Sequence, residues 1–228
     1  MAPVRKIDII TIFPDMFFPI LGESIIKRAQ QKKKVVIRVH DLRHYTKDKH
    51  KKVDDRPFGG GPGMVMMPQP LFDAVKKIKG RRSKVYVIMT CATGRKLDHR
   101  LAKKLSQKRD LIIMCGHYEG VDERVRTKLV DESVSIGDYV LTGGELPAMV
   151  IIDALVRHIP GVLGKKESLL DESFEKGLLE YPQYTRPAIY QRMKVPSVLL
   201  SGHHKHITAW RTKQSLARTR KQRPDLLQ

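Results

Sequence analysis

Four short and nearly unbroken aliphatic runs divide the first half of this chain: IDIITIF at 7–13, VVIRVHDL at 35–42, VYVIMT at 85–90 and LIIMC at 111–115. A strand with one wet face alternates apolar and polar residues. These runs hardly alternate, so both of their faces have to be covered. The stretches between them carry apolar residues at helical spacing: Leu21, Ile25 and Ala29, then Leu71, Val75 and Ile78 after Pro70, then residues 97–106. Strand and helix in alternation specify an α/β fold, a parallel sheet flanked by helices. Beyond Asp131 the texture changes. SVSIGDYVLTGGELP reads as a strand, a glycine-rich turn and the opening of a helix. Residues 146–159 read as an apolar helix buried on most sides, which Pro160 and Gly161 end.

This pattern divides the chain into an α/β domain over 1–160, a flexible linker over 161–180 without clear periodicity, and a small basic helical domain over 181–228. From Ser201 onward seven Lys or Arg stand against the single acid Asp225, with His203, His204, His206 and Trp210 among them. Such a helix suits a phosphate backbone; a solvated surface helix is the competing reading. Charge weighs on the same side. The 44 Lys and Arg exceed the 24 Asp and Glu by 20, which favours a polyanionic partner through phosphate neutralisation and counterion release. A membrane-surface role would need a basic helix with a large apolar face, and none stands out. No apolar run is long enough to span a bilayer, and the first residues lack a leader pattern, so a cytoplasmic protein is expected. No motif points to DNA. Cys91 and Cys115 each end an apolar run, as buried reduced thiols would, and no zinc-ligand spacing occurs.

Three glycine-bearing turns follow strands: CATG at 91–94, CGHYEG at 115–120 and IGDYVLTGGELP at 136–147. Ligands of parallel sheets bind at the carboxyl ends of strands, where glycine lets backbone come close to them. Three such turns imply one composite pocket made largely of backbone. RPFGGGPGM is not followed by the GK[ST] of a phosphate-binding loop, and no GxGxxG opens a helix after the first strand. A small ligand held mainly by backbone therefore fits better than a phosphate-rich one. Carboxylates gather at Asp171, Glu172 and Glu180 in the linker and at Glu119 and Asp122 beside GHYEG. Any of them near a bound base could accept a proton from it, or could simply be solvated. Arg157, at the end of the apolar helix, is costly there unless it meets a carboxylate or faces a site where negative charge develops.

Read together, IFPDMF, HDLRHYT, DDRPFGGGPGMVM, GRKLD, CGHYEGVDERV, SIGDYVLTGGELPAM, RHIPGVLG, GLLEYPQYTRP and VLLSGHH resemble, in order and over nearly the whole chain, the TrmD family of bacterial tRNA (guanine-N1-)-methyltransferases, of the SPOUT class. The resemblance implies an α/β domain whose C-terminal part threads a deep trefoil knot, an exception to the rule that chains avoid knots. It implies S-adenosyl-L-methionine as methyl donor and N1 of guanosine 37 of tRNA as acceptor, with the small C-terminal domain helping to grip the tRNA. It implies an obligate homodimer whose active sites draw on both subunits. By match, the donor pocket uses Gly116, Tyr118, Glu119, the segment Ile136, Gly137, Asp138, Tyr139, Val140 and Leu141, then Gly143, Gly144 and Pro147, with Cys91 and Ala92 on the adenine side. A linker carboxylate is the general base and Arg157 steadies charge moving toward O6. The family is also associated with magnesium, for which no ligand set is evident in this sequence.

Two departures stand out. Glu172-Ser173-Phe174 occupies the place of the family's Asp-Ser-Phe or Asp-Ser-Tyr, which makes Glu172 the expected base and Asp171 its competitor. Cys-Ala-Thr-Gly replaces Ser-Pro-x-Gly, and losing the proline loosens that loop. The rivals are ribose 2′-O-methylation by another SPOUT enzyme and a non-catalytic RNA-binding protein. YTRP and RPFGGGPGM weigh against the first, and the intact glycine turns against the second.

Overall fold

The computed structural model describes residues 4–163 and 172–228. The chain forms two compact units, Met1–Gly164 and Lys165–Gln228. In the first, β1 (Arg5–Thr11), β2 (Val35–Asp41), β5 (Val85–Lys96), β6 (Asp110–Cys115) and β7 (Glu132–Ser135) form one sheet in the order β2-β1-β6-β5-β7. Every pairing in it is parallel. Its two faces have separate cores. Ile7 and Ile9 of β1 with Leu111 and Ile113 of β6 pack under α2 (Ser24–Gln31), α4 (His99–Ser106) and α6 (Glu145–Val156). Ile10, Ile112 and Met114 pack under α3 (Pro68–Lys79) and α5 (Glu123–Leu129). Central β6 is buried at all six residues, which is why its sequence is a continuous apolar run.

The helices start and stop for local reasons. Asp98 caps α4 by accepting from the Leu101 N–H at 2.6 Å, and Asp122 caps α5 by accepting from the Arg124 N–H. The Leu21/Ile25/Ala29 repeat is split between the four-residue α1 (Phe18–Leu21) and α2, with Gly22 closing the first. Helix α3 begins two residues ahead of Pro70, since prolines are tolerated in a first turn.

Two expectations need correction. CATG is not a turn: β5 runs on through it to Lys96, with a register shift against β7 between Thr90 and Arg95. Gly94 makes this bulge feasible, because a Cβ there would lie 2.5 Å from Ser133 carbonyl carbon and Val134 nitrogen. Helix α6 ends at Val156, and the chain tightens to i→i+3 hydrogen bonds at His158 and Ile159. It is also less enclosed than its composition implies, since Leu146 and Val150, one turn apart, are 49% and 46% exposed.

Between β2 and α3, β3 (Asp54–Asp55) pairs antiparallel with β4 (Val65–Met66). The second unit, expected to be helical, also holds a hairpin of β8 (Ile189–Tyr190) and β9 (Met193–Lys194). Its two turn residues, Gln191 and Arg192, both adopt positive φ, as a tight type I′ turn demands. Helices α7 (Ser197–Leu200) and α8 (His204–Gln222) follow. Thr219, fully buried on α8, accepts from the Leu179 N–H and donates to the Ser215 carbonyl, and Arg218 donates to the Glu180 carbonyl. Of the stretch read as a linker, residues 164–171 lie outside the described residues. Among the described residues no helix is long and apolar enough to cross a membrane.

Candidate functional site

Strands β5, β6 and β7 deliver the three glycine-bearing segments to one edge of the sheet, where they enclose a cleft of about 260 Å³. Backbone-to-backbone contact makes this possible. The Gly144 N–H donates to the Gly116 carbonyl at 2.7 Å, and His117 pairs with Gly143 across an isolated bridge. Thr90 stitches β5 to β6: its hydroxyl accepts from the Gly116 N–H and donates to the Met114 carbonyl. A Cβ on Gly144 would sit 2.0 Å from that hydroxyl and 2.6 Å from Gly116 nitrogen, so only glycine fits. On the third segment the Ser135 hydroxyl donates to the Gly137 carbonyl and accepts from its N–H, closing the turn on itself.

Of the residues assigned to the donor pocket, the structure brings together in this wall Cys91, Ala92, Gly116, Tyr118, Glu119, Ile136, Gly137, Tyr139, Val140, Leu141, Gly143, Gly144 and Pro147. Asp138 is the exception: its exposed carboxylate meets Lys96 Nζ at 2.7 Å instead. Glu119 is the one carboxylate among the described lining residues. The RPFGGGPGM loop stands behind it, since the Glu119 N–H donates to the Met64 carbonyl and a Cβ on Gly63 would overlap the Glu119 side chain. Tyr118 holds a positive φ of 59° at the cleft. Burial, and then the nearby Asp54 carboxylate, raise the pKa of its phenol above the ordinary tyrosine value.

Behind the wall is a polar group that the sequence did not reveal. Glu145 opens α6, 2% exposed, and accepts from the Thr11 hydroxyl at 2.8 Å. Its other oxygen is 3.9 Å from His117 Nδ1. The positive end of α6 favours a carboxylate in that place. Cys115 is buried beside it, and burial followed by Glu145 pushes its thiol well above the ordinary cysteine range, so it is an inert packing residue. Cys91 is half-buried in the cleft wall with Sγ 3.1 Å from the Thr93 hydroxyl.

The remaining candidates fall in different units. Arg157 directly follows α6 in the first unit and is half-buried. Glu172 belongs to the second unit, where its carbonyl accepts from the Glu175 N–H, and Asp171 lies outside the described residues. Asp122 is a helix cap paired with Arg124. The Glu180 carboxylate accepts from the Gln183 side chain. Neither belongs to the cleft wall. Among the described residues no three His, Cys, Asp or Glu gather as a metal-binding group.

The family model described as tRNA (Guanine-1)-methyltransferase TrmD matches residues 5–228. A protein of Ruminiclostridium cellulolyticum called tRNA (guanine-N(1)-)-methyltransferase is 58% identical over 222 residues, covering 97% of this chain and 95% of its own. Proteins of the same name from Bacillus cereus and Bacillus anthracis are 54% identical over 224 residues, covering 98% of this chain and 92% of theirs.

Proposed function

The chain belongs to the tRNA (guanine-1)-methyltransferase family, and from that premise we propose that it transfers the methyl group of S-adenosyl-L-methionine to N1 of guanosine 37 of tRNA, beside the anticodon. The observation that carries this reading is the convergence of three glycine-bearing segments on one cleft. Its chemistry fits the donor. The wall offers backbone groups and apolar side chains for the adenosine and methionine portions, and Glu119 for a positively charged group. The family's trefoil knot is the topology we assign to this part of the chain, where segments 136–144 and 116–120 meet through Gly144 and Gly116.

S-adenosyl-L-methionine supplies an electrophilic methyl group. The protein's task is to make guanine N1 a nucleophile, because that nitrogen carries a proton in the neutral base. We assign the proton to Glu172, whose carboxylate accepts it and frees the N1 lone pair to form the new N–C bond. Arg157 steadies the charge that shifts toward O6. The base has to leave its stack to be reached. The half-exposed Leu146 and Val150 on α6, with Phe18 60% exposed, support a homodimer that covers apolar surface and shares its active sites. No three metal-ligating side chains gather among the described residues, so a magnesium ion would be held by one carboxylate together with the tRNA's phosphates. We place the reaction in the cytoplasm, with the tRNA.

Two unmodified transcripts that differ only in guanosine or adenosine at position 37 test the reading. Label from methyl-labelled S-adenosyl-L-methionine enters the first and not the second. Equal labelling of both would assign the ribose or another base, and RNA binding without any transfer would leave a binding protein.

A further inference from the structure

Thr11, Glu145 and His117 form a buried polar chain that ends at the cleft wall, and the transfer steps leave it unused. It begins at the Phe13 N–H, which donates to the Thr11 hydroxyl at 2.9 Å. That hydroxyl donates in turn to Glu145 Oε1. A carboxylate as buried as Glu145 has to be matched by donors, and the Thr11 hydroxyl and the amino end of α6 supply part of the match. Glu145 Oε2 faces His117 Nδ1 across 3.9 Å. That nitrogen is buried and has no hydrogen-bond partner among the described residues, which costs free energy. A carboxylate oxygen and an unmatched ring nitrogen therefore stand about 1 Å beyond hydrogen-bond distance. Gly143 keeps the space between them clear, since a Cβ there would lie 2.4 Å from Oε2 and 2.6 Å from Nδ1.

The His117 ring in turn braces the cleft. It meets Phe13 with centroids 5.1 Å apart and planes at 67°, and Tyr118 at 4.8 Å and 88°, edge to face on both sides. Tyr118 is the residue that needs bracing. Its φ of 59° is costly for a side chain other than glycine unless the surroundings impose it, and its ring stands exposed at the cleft. A carboxylate anchored to β1 and α6 thus reaches a cleft residue through a single imidazole.

We propose that Glu145 is a positioning residue for the methyl donor: its carboxylate accepts from His117 Nδ1–H, keeps the proton on that nitrogen, and through the ring holds Tyr118 against the bound donor. The inference rests on the donor reading of the cleft and extends it to a residue that touches neither donor nor base. A ring that merely filled space would need no nitrogen facing Glu145. The two accounts differ over where the His117 proton sits and over what a phenylalanine does in its place.

The full-length protein, labelled with heavy nitrogen in its histidine rings and saturated with S-adenosyl-L-methionine, is read by long-range proton–nitrogen correlation. His117 is the signal missing from His117→Phe or, should that not fold, from His117→Gln. In wild type the proton is on Nδ1. In Glu145→Gln the Thr11 hydroxyl holds the amide oxygen, the amide N–H turns toward Nδ1, and the ring proton moves to Nε2. By calorimetric titration His117→Phe and Glu145→Gln each bind the donor about tenfold more weakly. In steady-state transfer the KM for the donor rises with little change in kcat. An unprotonated Nδ1 in wild type, or His117→Phe affinity equal to wild type, overturns the proposal. So does a kcat that falls while donor affinity holds, because His117 would then act in the transfer itself. A wild-type titration without donor binding sinks the donor reading first, so the two failures are told apart.

Discussion

At the residue scale, two glycine positions and one carboxylate carry most of the account. Gly144→Ala forces a methyl group into Thr90 Oγ1 and the Gly116 backbone, and such overpacking costs about 1–3 kcal/mol. Calorimetric titration shows the effect as weaker S-adenosyl-L-methionine binding, because the wall rather than a remote element has to move. Glu172→Gln removes the assigned base without changing its size, and kcat falls at least about 100-fold with donor affinity kept. Asp171→Asn keeps most of its activity; the opposite pattern in single-turnover assays would move the base to Asp171. The glycine turns at 115–120 and 136–147 were legible because few other residues can bring two backbones together. The Thr11–Glu145–His117 group was not. GHYEG contains His117, GGELP contains Glu145 and the first strand contains Thr11, but burial of a glutamate is decided by what surrounds it in three dimensions.

At the element scale, the alternation of apolar runs and helical spacings identified the parallel strands and the helices at α2, α3, α4 and α6, but not α5, which has too few apolar residues to show a helical repeat. It also missed places where one element interrupts another. CATG looks like a turn from composition, yet it is the bulged continuation of β5, set by the backbone of β7. Polar residues inside strands were equally opaque. Asp8 on β1 is buried, accepts from Arg82, and lies 2.8 Å from His40 of β2, while Arg82 also reaches Asp110 of β6. Tyr45 hydroxyl in turn contacts His40 Nδ1. One arginine thereby ties β1 and β6 to the end of α3, whose Ile78 carbonyl also accepts from it. Burial would raise the Asp8 pKa, but His40 and Arg82 outweigh it and hold the carboxyl below its ordinary value. A folded-state pKa below the unfolded one gives stability that is complete above about pH 4 and lost as pH falls through the folded value. Asp8→Asn destabilises the first unit by about 3 kcal/mol near neutrality, since it leaves Arg82 with half its pairing. The difference from wild type shrinks between pH 4 and pH 2 in denaturant titrations. A constant difference over that range would show that the charge of Asp8 is not what holds the cluster.

At the scale of the whole molecule, a surplus of 20 positive charges favours a tRNA held largely through its phosphates. If about six to ten phosphates are neutralised, raising salt from 50 to 200 mM lowers tRNA affinity by about three to five orders of magnitude, while donor binding, in a cleft where Glu119 is the one carboxylate among the described lining residues, changes far less. Filter-binding and calorimetric titrations across that range compare the two. The apolar residues left exposed on α6 and near Phe18 belong to the same scale. Leu146→Glu with Val150→Glu converts the proposed homodimer to a species of half the mass in sedimentation equilibrium, and transfer is lost with it if each site is shared; an unchanged mass would show that this face is not the subunit contact. Composition announced the polyanion and the motifs announced the cleft, but exposure of one helix face is a property of the folded chain alone. The most direct test of the whole account is digestion of wild-type reaction product to nucleosides, with mass spectrometry and fragment mapping of the methylated position. The account predicts 1-methylguanosine at position 37 and nowhere else. A ribose-methylated nucleoside, or 1-methylguanosine at another position, would contradict it.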